Sequence, residues 1–202
     1  PHHRPRSVIA MPSMFRDTIR SLLALAAFTI ICGVAFPLVV WGVGQIGFSS
    51  EAAGSLVHAH GRVVGSSLLG QDWKGDQWFH GRASAVGYDA NGSGGSNLGP
   101  NSRALAGSVE ERLAAVAKED GVSAAQVPVD LVTASASGLD PDISLRGALI
   151  QVNRVARARG LAPARVEQLV RSRAEDRTLG FLGSRRVNVL GLNIALTELR
   201  SQ

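Results

Sequence analysis

The chain has 202 residues, of which 45% are hydrophobic, a formal net charge of +5 at pH 7, and one cysteine, Cys32. A single cysteine excludes an intramolecular disulfide and a cysteine-rich metal site, so the fold must rest on its hydrophobic core. The positive charge does not indicate nucleic-acid binding: residues 45–142 carry 6 basic and 11 acidic side chains, and residues 143–202 carry 11 and 4. No aromatic residues that could stack on bases are interleaved with the arginines, so we expect no nucleic-acid partner.

The first predicted element is an apolar stretch, residues 21–44, that contains no charged residue and no histidine. As a helix it would extend roughly 36 Å, enough to cross a hydrocarbon core of about 30 Å. A cleaved signal peptide has an apolar core of only about 7–15 residues and a small-residue cleavage site, which is absent after this stretch. The sequence therefore predicts a transmembrane helix over residues 16–44, lengthened towards the cytoplasmic surface by Arg16 and Arg20.

The distribution of arginines predicts the orientation of this helix. Four arginines precede the apolar stretch: Arg4, Arg6, Arg16 and Arg20. In the twenty residues after it only Arg62 appears. Because positive residues stay on the cytoplasmic side, residues 1–15 are expected to form a cytoplasmic tail, disordered up to residue 13. Residues 45–202 are then an extracytoplasmic domain at the plasma (inner) membrane.

One face of the membrane helix is suited to packing. Thr29 and Gly33 form a small-xxx-small pair, and the same face continues to Pro37. Small residues let a second helix approach closely, and membrane helices tolerate proline when neighbouring groups satisfy the freed carbonyl. We expect this face to contact another helix in the lipid bilayer.

The domain begins with a predicted hairpin, in which residues 57–59 and 63–68 form strands and the chain turns at Gly61-Arg62. His58 and His60 are expected on one strand face, where they could hold a metal. No third ligand follows at a suitable spacing, so we interpret them as half-exposed strand residues and expect no metal site.

Two further features precede the first predicted helix of the domain. Trp73, Trp78 and Phe79 are concentrated in twelve residues of a chain poor in aromatics, which is typical of a small core or an interface.

Residues 83–107 are then dominated by Ser, Gly, Asn and Pro, and a loop of this length is usually functional. We expect residues 93–101 to be ordered by partner contacts and not by their own packing.

The second half of the domain is predicted to be mainly helical. Ser108 is predicted to cap the first helix, and residues 127–134 are predicted to form a strand. Asp140 or Ser144 should cap a second helix, which ends at Gly160.

Two more helices complete the prediction. Pro163 should begin the third, and the last is indicated by the helical spacing of Val189, Leu192, Leu196 and Leu199. The predicted fold class is therefore an α+β extracytoplasmic domain, with strands early and helices late, anchored by one N-terminal transmembrane helix.

The sequence contains no strong nucleotide-binding or catalytic motif. The glycine-rich loop lacks the Lys-Ser/Thr of a P-loop. Ser135 and Ser137 lack the G-x-S-x-G frame of a hydrolase, and no spacing supports a triad of Ser137, His80 and Asp140. The residues alone indicate a single-pass, membrane-anchored interaction module. An independent extracytoplasmic ligand-binding or enzyme domain is the alternative.

Several longer sequence motifs indicate a more specific function. In order along the chain they are VGSSLLGQ, FHGRASA, SGGSNLGPNS, VPVDLVTASASGLDPDIS and GFLGSRRVNVLGLN. Together with the preceding membrane helix, they resemble the KdpC family, the C subunits of bacterial Kdp potassium-transporting P-type ATPases. Three residues depart from the usual family pattern: Ala136 replaces Gly, Asp142 replaces His, and Ser184 replaces Glu.

The resemblance implies a non-catalytic subunit of a membrane complex with KdpA, KdpB and KdpF. In this family KdpA selects potassium and KdpB hydrolyses ATP through a phosphorylated aspartate, so ATP and K⁺ are handled by the complex and no cofactor is bound tightly by this chain. C subunits are also described as catalytic chaperones that raise the ATP affinity of KdpB, with the SGGS loop touching nucleotide. The predicted topology opposes direct contact, because the loop would lie outside the cell.

The resemblance also supplies candidate interface residues, none of them catalytic. They are His80, Gly81, Arg82, Ser93, Gly94, Gly95, Ser96, Asn97, Gly99, Thr133, Ser135, Ser137, Gly138, Asp140, Pro141, Arg186 and Asn188. We expect residues 130–144 to be structural, with Gly138 permitting a turn.

Overall fold

A computed structural model describes residues 13–199 of the chain. Nearly all of the predicted tail, and the disorder expected for it, therefore lies outside the described residues. The chain divides into two compact units after Ala53, and each is described by itself.

The described part of the first unit, from Ser13 onward, consists of helices. Its elements are α1 (Ser13–Ile30), a π-helical turn (Ile31–Ala35), α2 (Phe36–Gly47) and the short α3 (Ser49–Ala52). The 34-residue helix Met14–Gly47 contains an 18-residue segment with a mean hydropathy of 2.5 and is the one candidate membrane span among the described residues. The helix includes Arg16 and Arg20, as predicted, and continues three residues past the predicted end at Gly44.

The π-helical turn explains how the span accommodates Pro37. Proline has no amide proton, and in a regular helix its ring would collide with the carbonyl four residues earlier. Here the Phe36 amide donates to the Ile31 carbonyl across the wider turn, and Pro37 falls in the first turn of α2. A π turn is a common way to absorb such a disruption.

The second unit begins with the predicted hairpin, which is confirmed. Strand β1 (Leu56–Ala59) pairs antiparallel with β2 (Arg62–Ser66). The turn between them is made by His60 and Gly61, with φ of 51° and 74°, one residue earlier than the predicted turn at Gly61-Arg62, because Arg62 already lies in β2. The prediction that His58 and His60 share a strand face is wrong, because His60 lies in this left-handed turn.

A second sheet was not predicted. It consists of β3 (Asp142–Ser144), β4 (Ala174–Glu175) and β5 (Arg186–Asn188), in the antiparallel order β3–β5–β4. The expectation that all strands come early is therefore wrong. Strands of two or three residues are too short to show an alternating pattern in the sequence.

Five helices surround this sheet. They are α4 (Arg103–Asp120), α5 (Val129–Val132), α6 (Leu145–Arg159), α7 (Pro163–Ser172) and α8 (Val189–Glu198), with a 3₁₀ turn at Ala124–Gln126. The predicted starts of α6 at Ser144 and of α7 at Pro163 are confirmed: the Ser144 hydroxyl accepts from the Gly147 amide, and Pro163 lies in the first turn. The α8 cap, Asn188, accepts from the Gly191 amide.

Two predictions in this half are wrong. The cap of α4 is Ser102, whose hydroxyl accepts from the Leu105 amide, whereas Ser108 lies inside the helix. Residues 127–134 contain α5 instead of a strand. The neighbours Leu131 and Val132 are both buried, which a helical turn permits and the two-residue alternation of a strand does not.

The hydrophobic core lies between α6, α7, α8 and the second sheet. Phe79 is fully buried in it, and Trp73 packs partly buried against it, so the core role predicted for the aromatic cluster is confirmed for these two residues. Trp78 lies outside this core and packs on Trp73, with ring centroids 4.9 Å apart. The guanidinium of Arg159 lies 4.3 Å from the Trp78 ring centroid and shields the outer face of the cluster. The other main buried core residues are Ile143, Ala148, Val155, Val166, Val170, Val187, Leu192 and Leu196.

A buried ion pair ties the aromatic segment to the helices. Arg154 of α6 lies 2.8 Å from the Asp120 carboxylate at the end of α4, and both side chains are almost completely buried. Burial raises the pKa of Asp120, and the Arg154 hydrogen bond and charge oppose that rise. Arg154 also donates to the carbonyls of Asp76 and Trp78. One nitrogen of the guanidinium, Nη1, therefore holds the segment around Trp78, while Nε pairs with Asp120 and Nη2 donates to Gln151.

Candidate functional site

The candidate residues start from the segment Phe79–Arg82, which two buried side-chain amides hold in an extended form. Asn193 of α8 accepts from the Phe79 amide at 2.9 Å and donates to its carbonyl at 3.0 Å. Gln151 of α6 does the same for His80, at 2.7 and 3.2 Å. The two amides imitate a neighbouring strand, so the segment satisfies its backbone without joining a sheet. These hydrogen bonds fix the position of the backbone from which the Arg82 side chain extends.

Arg82 connects this segment to the turn before β3. Its guanidinium lies 2.8 Å from the Asp140 carboxylate and 3.5 Å from the Thr133 hydroxyl. The Tyr88 hydroxyl donates to the Arg82 carbonyl. Burial, together with the charges of Asp72 and Asp140, raises the pKa of Tyr88 to about 12. The phenol therefore stays protonated and remains a hydrogen-bond donor at neutral pH.

Ser84 is the centre of the next set of contacts. Its hydroxyl donates to the Gly138 carbonyl at 2.6 Å and accepts from the amides of Val86 and Tyr88. Gly138 has a φ of 69°, as its predicted role in the turn requires. A Cβ added there would lie 2.5 Å from Val86 Cγ2 and 2.8 Å from the Gly94 carbonyl oxygen. Both the backbone angle and the space therefore demand glycine.

The start of the glycine-rich loop packs directly on this turn. The Gly94 amide donates to the Ser137 carbonyl at 2.8 Å, and the Ser93 hydroxyl donates to the same oxygen at 3.1 Å. A Cβ on Gly95 would lie 2.9 Å from the Ala136 carbonyl oxygen. The expectation that residues 93–101 lack packing of their own is therefore wrong for residues 93–95. Residues 96–101 are exposed.

We call residues 82–88, 93–95 and 133–140 the loop junction. Within it, the hydroxyls of Ser135 and Ser137 lie 3.1 Å apart and accept from the amides of Gly138 and Leu139. The serine and tyrosine hydroxyls of the loop junction thus contact other parts of the same domain, whereas the buried Arg82 Nε has no hydrogen-bond partner among the described residues. Ser84 and Tyr88 belong to it but were not predicted. Tyr88 is the chain's only tyrosine, and that was the one available signal.

A second group of charged residues lies on the small sheet. Arg186 of β5 contacts the carboxylates of Asp142 and Glu175, at 3.0 and 2.7 Å. Asn188 donates to Asp142 and to the Ser67 carbonyl. Burial raises the pKa of Asp142, and the Asn188 hydrogen bond and the Arg186 charge oppose it. These residues line a surface cavity of about 530 Å³.

The sheet group is continuous with the loop junction. A smaller cavity of about 140 Å³ is lined by residues of both, among them Arg82, Asp140, Asp142 and Arg186. The Pro141 carbonyl, between the two groups, accepts from the Val189 amide at the start of α8. Arg82, Asp140, Asp142, Glu175 and Arg186 are paired with one another, whereas Arg173, which also lines the larger cavity, has no ion pair among the described residues. The pairing favours a structural role for these five side chains.

The remaining candidates make few of the contacts of the loop junction, although His80 and Gly81 line a cavity together with Arg82 and Tyr88. The His80 ring contacts the Glu119 carboxylate and the Gly75 carbonyl, each at 3.1 Å. Ser96, Asn97 and Gly99 are exposed on the outer part of the loop. His80 does not contact Ser137 or Asp140, so the three do not form a catalytic triad. Among residues 13–199 no group of three or more potential ligands could hold a metal ion.

Comparison with known proteins identifies the family. The family model described as "K+-transporting ATPase, c chain" (KdpC) matches residues 18–198. The chain belongs to the KdpC family. A KdpC subunit of the potassium-transporting ATPase from Rhodopseudomonas palustris (strain TIE-1) is 48% identical over 197 residues, covering 91% of this chain and 97% of the relative.

Other relatives bear the same name. The subunit from Methylibium petroleiphilum is 51% identical over 183 residues, covering 89% of this chain and 96% of the relative. The subunit from Mycobacterium tuberculosis (strain ATCC 25177 / H37Ra) is 47% identical over 189 residues, covering 92% and 100%. The resemblance inferred from the motifs is thus confirmed, and the chain is an accessory subunit of the potassium uptake complex. The roles of the individual candidate residues stay predictions.

Proposed function

We propose that this KdpC chain is a single-pass subunit whose N-terminus is cytoplasmic and whose folded domain lies outside the plasma membrane. There it assembles and stabilises the complex of KdpA, KdpB and KdpF. The observation that carries the proposal is the combination of family membership with one apolar span, Met14–Gly47, followed by a separate compact unit. The arginine bias across the span supports the orientation.

The geometry of the loop junction supports a non-catalytic role. Its serines contact backbone amides and carbonyls, and its one ion pair, Arg82 with Asp140, is internal. The sequence also contains no D-K-T-G-T phosphorylation motif. We infer that ATP hydrolysis and potassium selection belong to the other subunits.

The same geometry supports an indirect effect on ATP affinity. Ser93 and Gly94, which would be the first donors offered to a phosphate, already donate to the Ser137 carbonyl. No arginine or lysine lies in residues 83–102 to balance a triphosphate. An increase in ATP affinity would then be transmitted through the membrane subunits, as a coupling of about 1–3 kcal/mol.

The membrane helix supports a direct role in assembly. The Thr29 hydroxyl donates to the Leu25 carbonyl, and its methyl group would lie 3.9 Å from a Cβ at Gly33. Thr29 and Gly33 therefore present one smooth, small-residue face, which continues to Pro37 beyond the π turn. We propose that a helix of a membrane-embedded partner packs there.

The test is to express KdpA, KdpB and KdpF with and without this chain in cells that lack their own Kdp system. We expect tagged KdpB to recover KdpA and KdpF, and to support growth on limiting potassium, only when this chain is present. Full recovery and growth without it would contradict the proposal. Calorimetry of the full-length chain in detergent should detect no saturable ATP binding. Sub-millimolar ATP binding that is lost on substitution of Ser93–Ser96 would contradict the indirect role.

A further inference from the structure

The connection between β4 and β5, residues 176–185, ends in a tight hairpin. Thr178 and Leu182 exchange two backbone hydrogen bonds of 2.9 Å, and the Gly180 amide donates to the Arg177 carbonyl at 3.0 Å. Leu179, Gly180 and Phe181 form the loop between them, and the first two have φ of 54° and 81°. Leu179 and Gly180 are therefore both left-handed. We call residues 177–182 the hairpin tip.

Leucine is an unfavourable residue for this turn. Left-handed positions in turns are normally occupied by Gly, Asn or Asp. A leucine in that conformation costs about 1–2 kcal/mol. The Leu179 side chain is 79% exposed, so the domain gains no burial in return. Strain of this kind, where nothing inside the domain compensates for it, indicates a functional contact.

The neighbouring side chains extend the apolar surface. Phe181 is 68% exposed and Leu182 is 49% exposed. The three side chains project from one tight turn, which gives a compact apolar projection with Phe181 as its largest member. Aromatic and aliphatic side chains of this kind fill pockets at protein interfaces.

The charges around the hairpin tip restrict the kind of partner. Residues 174–186 contain three arginines and two carboxylates, a net charge of +1. Arg185 pairs with Asp176, and Arg186 pairs with Glu175 and Asp142. Of these three arginines, Arg177 is the one that has no ion pair with any described residue. A surface that binds anionic lipid usually carries a cluster of about 4–8 basic residues, so this charge pattern favours a protein.

We propose that the hairpin tip inserts into an apolar pocket with a carboxylate at its rim, on another subunit of the potassium-transporting complex. Leu179 and Phe181 fill the pocket, and Arg177 pairs with the carboxylate. This proposal rests on the proposed function, because it requires that the chain assembles with partner subunits. It assigns the docking role to a segment different from the loop junction.

The first test uses Leu179→Asn, in the complete complex in detergent. Asparagine suits the left-handed turn, so the chain should fold at least as well as the wild type while the contact is lost. We expect this chain to dissociate from the complex about tenfold faster, and Phe181→Ser to act likewise. The matched control is Val129→Asn, since Val129 is 71% exposed but lies in α5, away from the tip. It should dissociate at the wild-type rate.

The outcomes separate the two proposals. Wild-type retention of both tip variants would overturn the docking role while leaving the assembly function intact. A wild-type chain that never co-purifies with other subunits would contradict the proposed function, and this inference with it.

The second test distinguishes a protein partner from lipid. In a Cys32→Ser background, Leu179→Cys provides a single thiol that can carry a benzophenone maleimide. Illumination of native membranes should cross-link this chain to another subunit of the complex, and the same label at Val129→Cys should not. Adducts with lipid only would overturn the assignment of a protein partner. Arg177→Glu should reduce the cross-link yield several-fold, and an undiminished yield would exclude the carboxylate at the rim.

Discussion

The loop junction and the hairpin tip are both irregular segments that contain left-handed residues, but they use them differently. In the loop junction the left-handed residues are Gly87, Tyr88 and Gly138, and the Tyr88 amide and hydroxyl both form hydrogen bonds inside the domain. In the hairpin tip they are Leu179 and Gly180, and Leu179 is exposed to solvent. A left-handed residue whose polar groups are bonded inside the domain serves the fold, whereas the exposed Leu179 gains no such contact. We infer that the polar, glycine-rich signature is structural, and we propose that the apolar tip makes the contact with a partner.

The largest expected effect concerns Gly138. Gly138→Val adds a strained left-handed valine and a methyl group that collides with Val86 and Gly94, so we expect a loss of about 3–5 kcal/mol in the free energy of unfolding. Denaturant unfolding of the full-length chain in detergent measures it, and complex recovery should fall in parallel. Gly121→Val is the matched control, because Gly121 has a φ of 66° with no atom within 4 Å of its Cβ position. Its cost should be clearly smaller.

Equal losses in these two variants would show that the loop junction is not crowded. A stable Gly138→Val chain that assembles normally but abolishes transport would show that the loop junction is a direct functional site. Either result would contradict the conclusion that the loop junction is structural while the hairpin tip makes the external contact.

A medium effect is expected for the Tyr88 phenol. In the unfolded chain its pKa is near 10, and in the folded chain it is raised to about 12. The folded state therefore holds a proton that the unfolded state releases, and stability contributed by Tyr88 declines as pH rises from 10 to 12. Tyr88→Phe should be about 1 kcal/mol less stable than wild type at pH 9, because one hydrogen bond is lost. Between pH 10 and 12 that difference should shrink.

The measurement is denaturant unfolding of both chains at pH 9 and at pH 11. A difference that stays constant with pH would show that Tyr88 is not buried in the loop junction. It would also weaken the contrast between the loop junction, whose polar groups bond to one another, and the exposed hairpin tip.

The smallest expected effect is the stability change of Leu179→Asn. Because asparagine tolerates the left-handed region, the free energy of unfolding should rise by about 0.5–1 kcal/mol. Thermal unfolding of the full-length chain measures this change. A marked loss of stability would mean that Leu179 serves the fold, and the two regions would then no longer differ.

The sequence was informative where a pattern was long. The apolar span, the hairpin from Leu56 to Ser66, and helices α6 to α8 have clear periodicity or caps, and they were predicted with the right type. The motifs were also long enough to identify the family. The strands β3, β4 and β5 were not predicted, because each has three residues or fewer and is held by pairing between distant segments.

The candidate site was predictable only in part. Gly138 and the cap at Ser144 follow from local turn and helix rules. The strand-like amides of Gln151 and Asn193 do not, because each contacts a backbone 71 or 114 residues away. The sequence gives no local sign of such partners. The hairpin tip was overlooked for a similar reason, since only the structure gives Leu179 its left-handed φ and its exposure.

The central claim is that the folded domain lies outside the membrane while the N-terminus is cytoplasmic. Thiol labelling in spheroplasts tests it most directly, with Val129→Cys or Met14→Cys in a Cys32→Ser background. We predict that a membrane-impermeant maleimide labels Val129→Cys in intact spheroplasts, and Met14→Cys only after permeabilisation. Labelling of Met14→Cys in intact spheroplasts, with Val129→Cys reached only after permeabilisation, would contradict the claim and return the glycine-rich loop to the compartment that contains ATP.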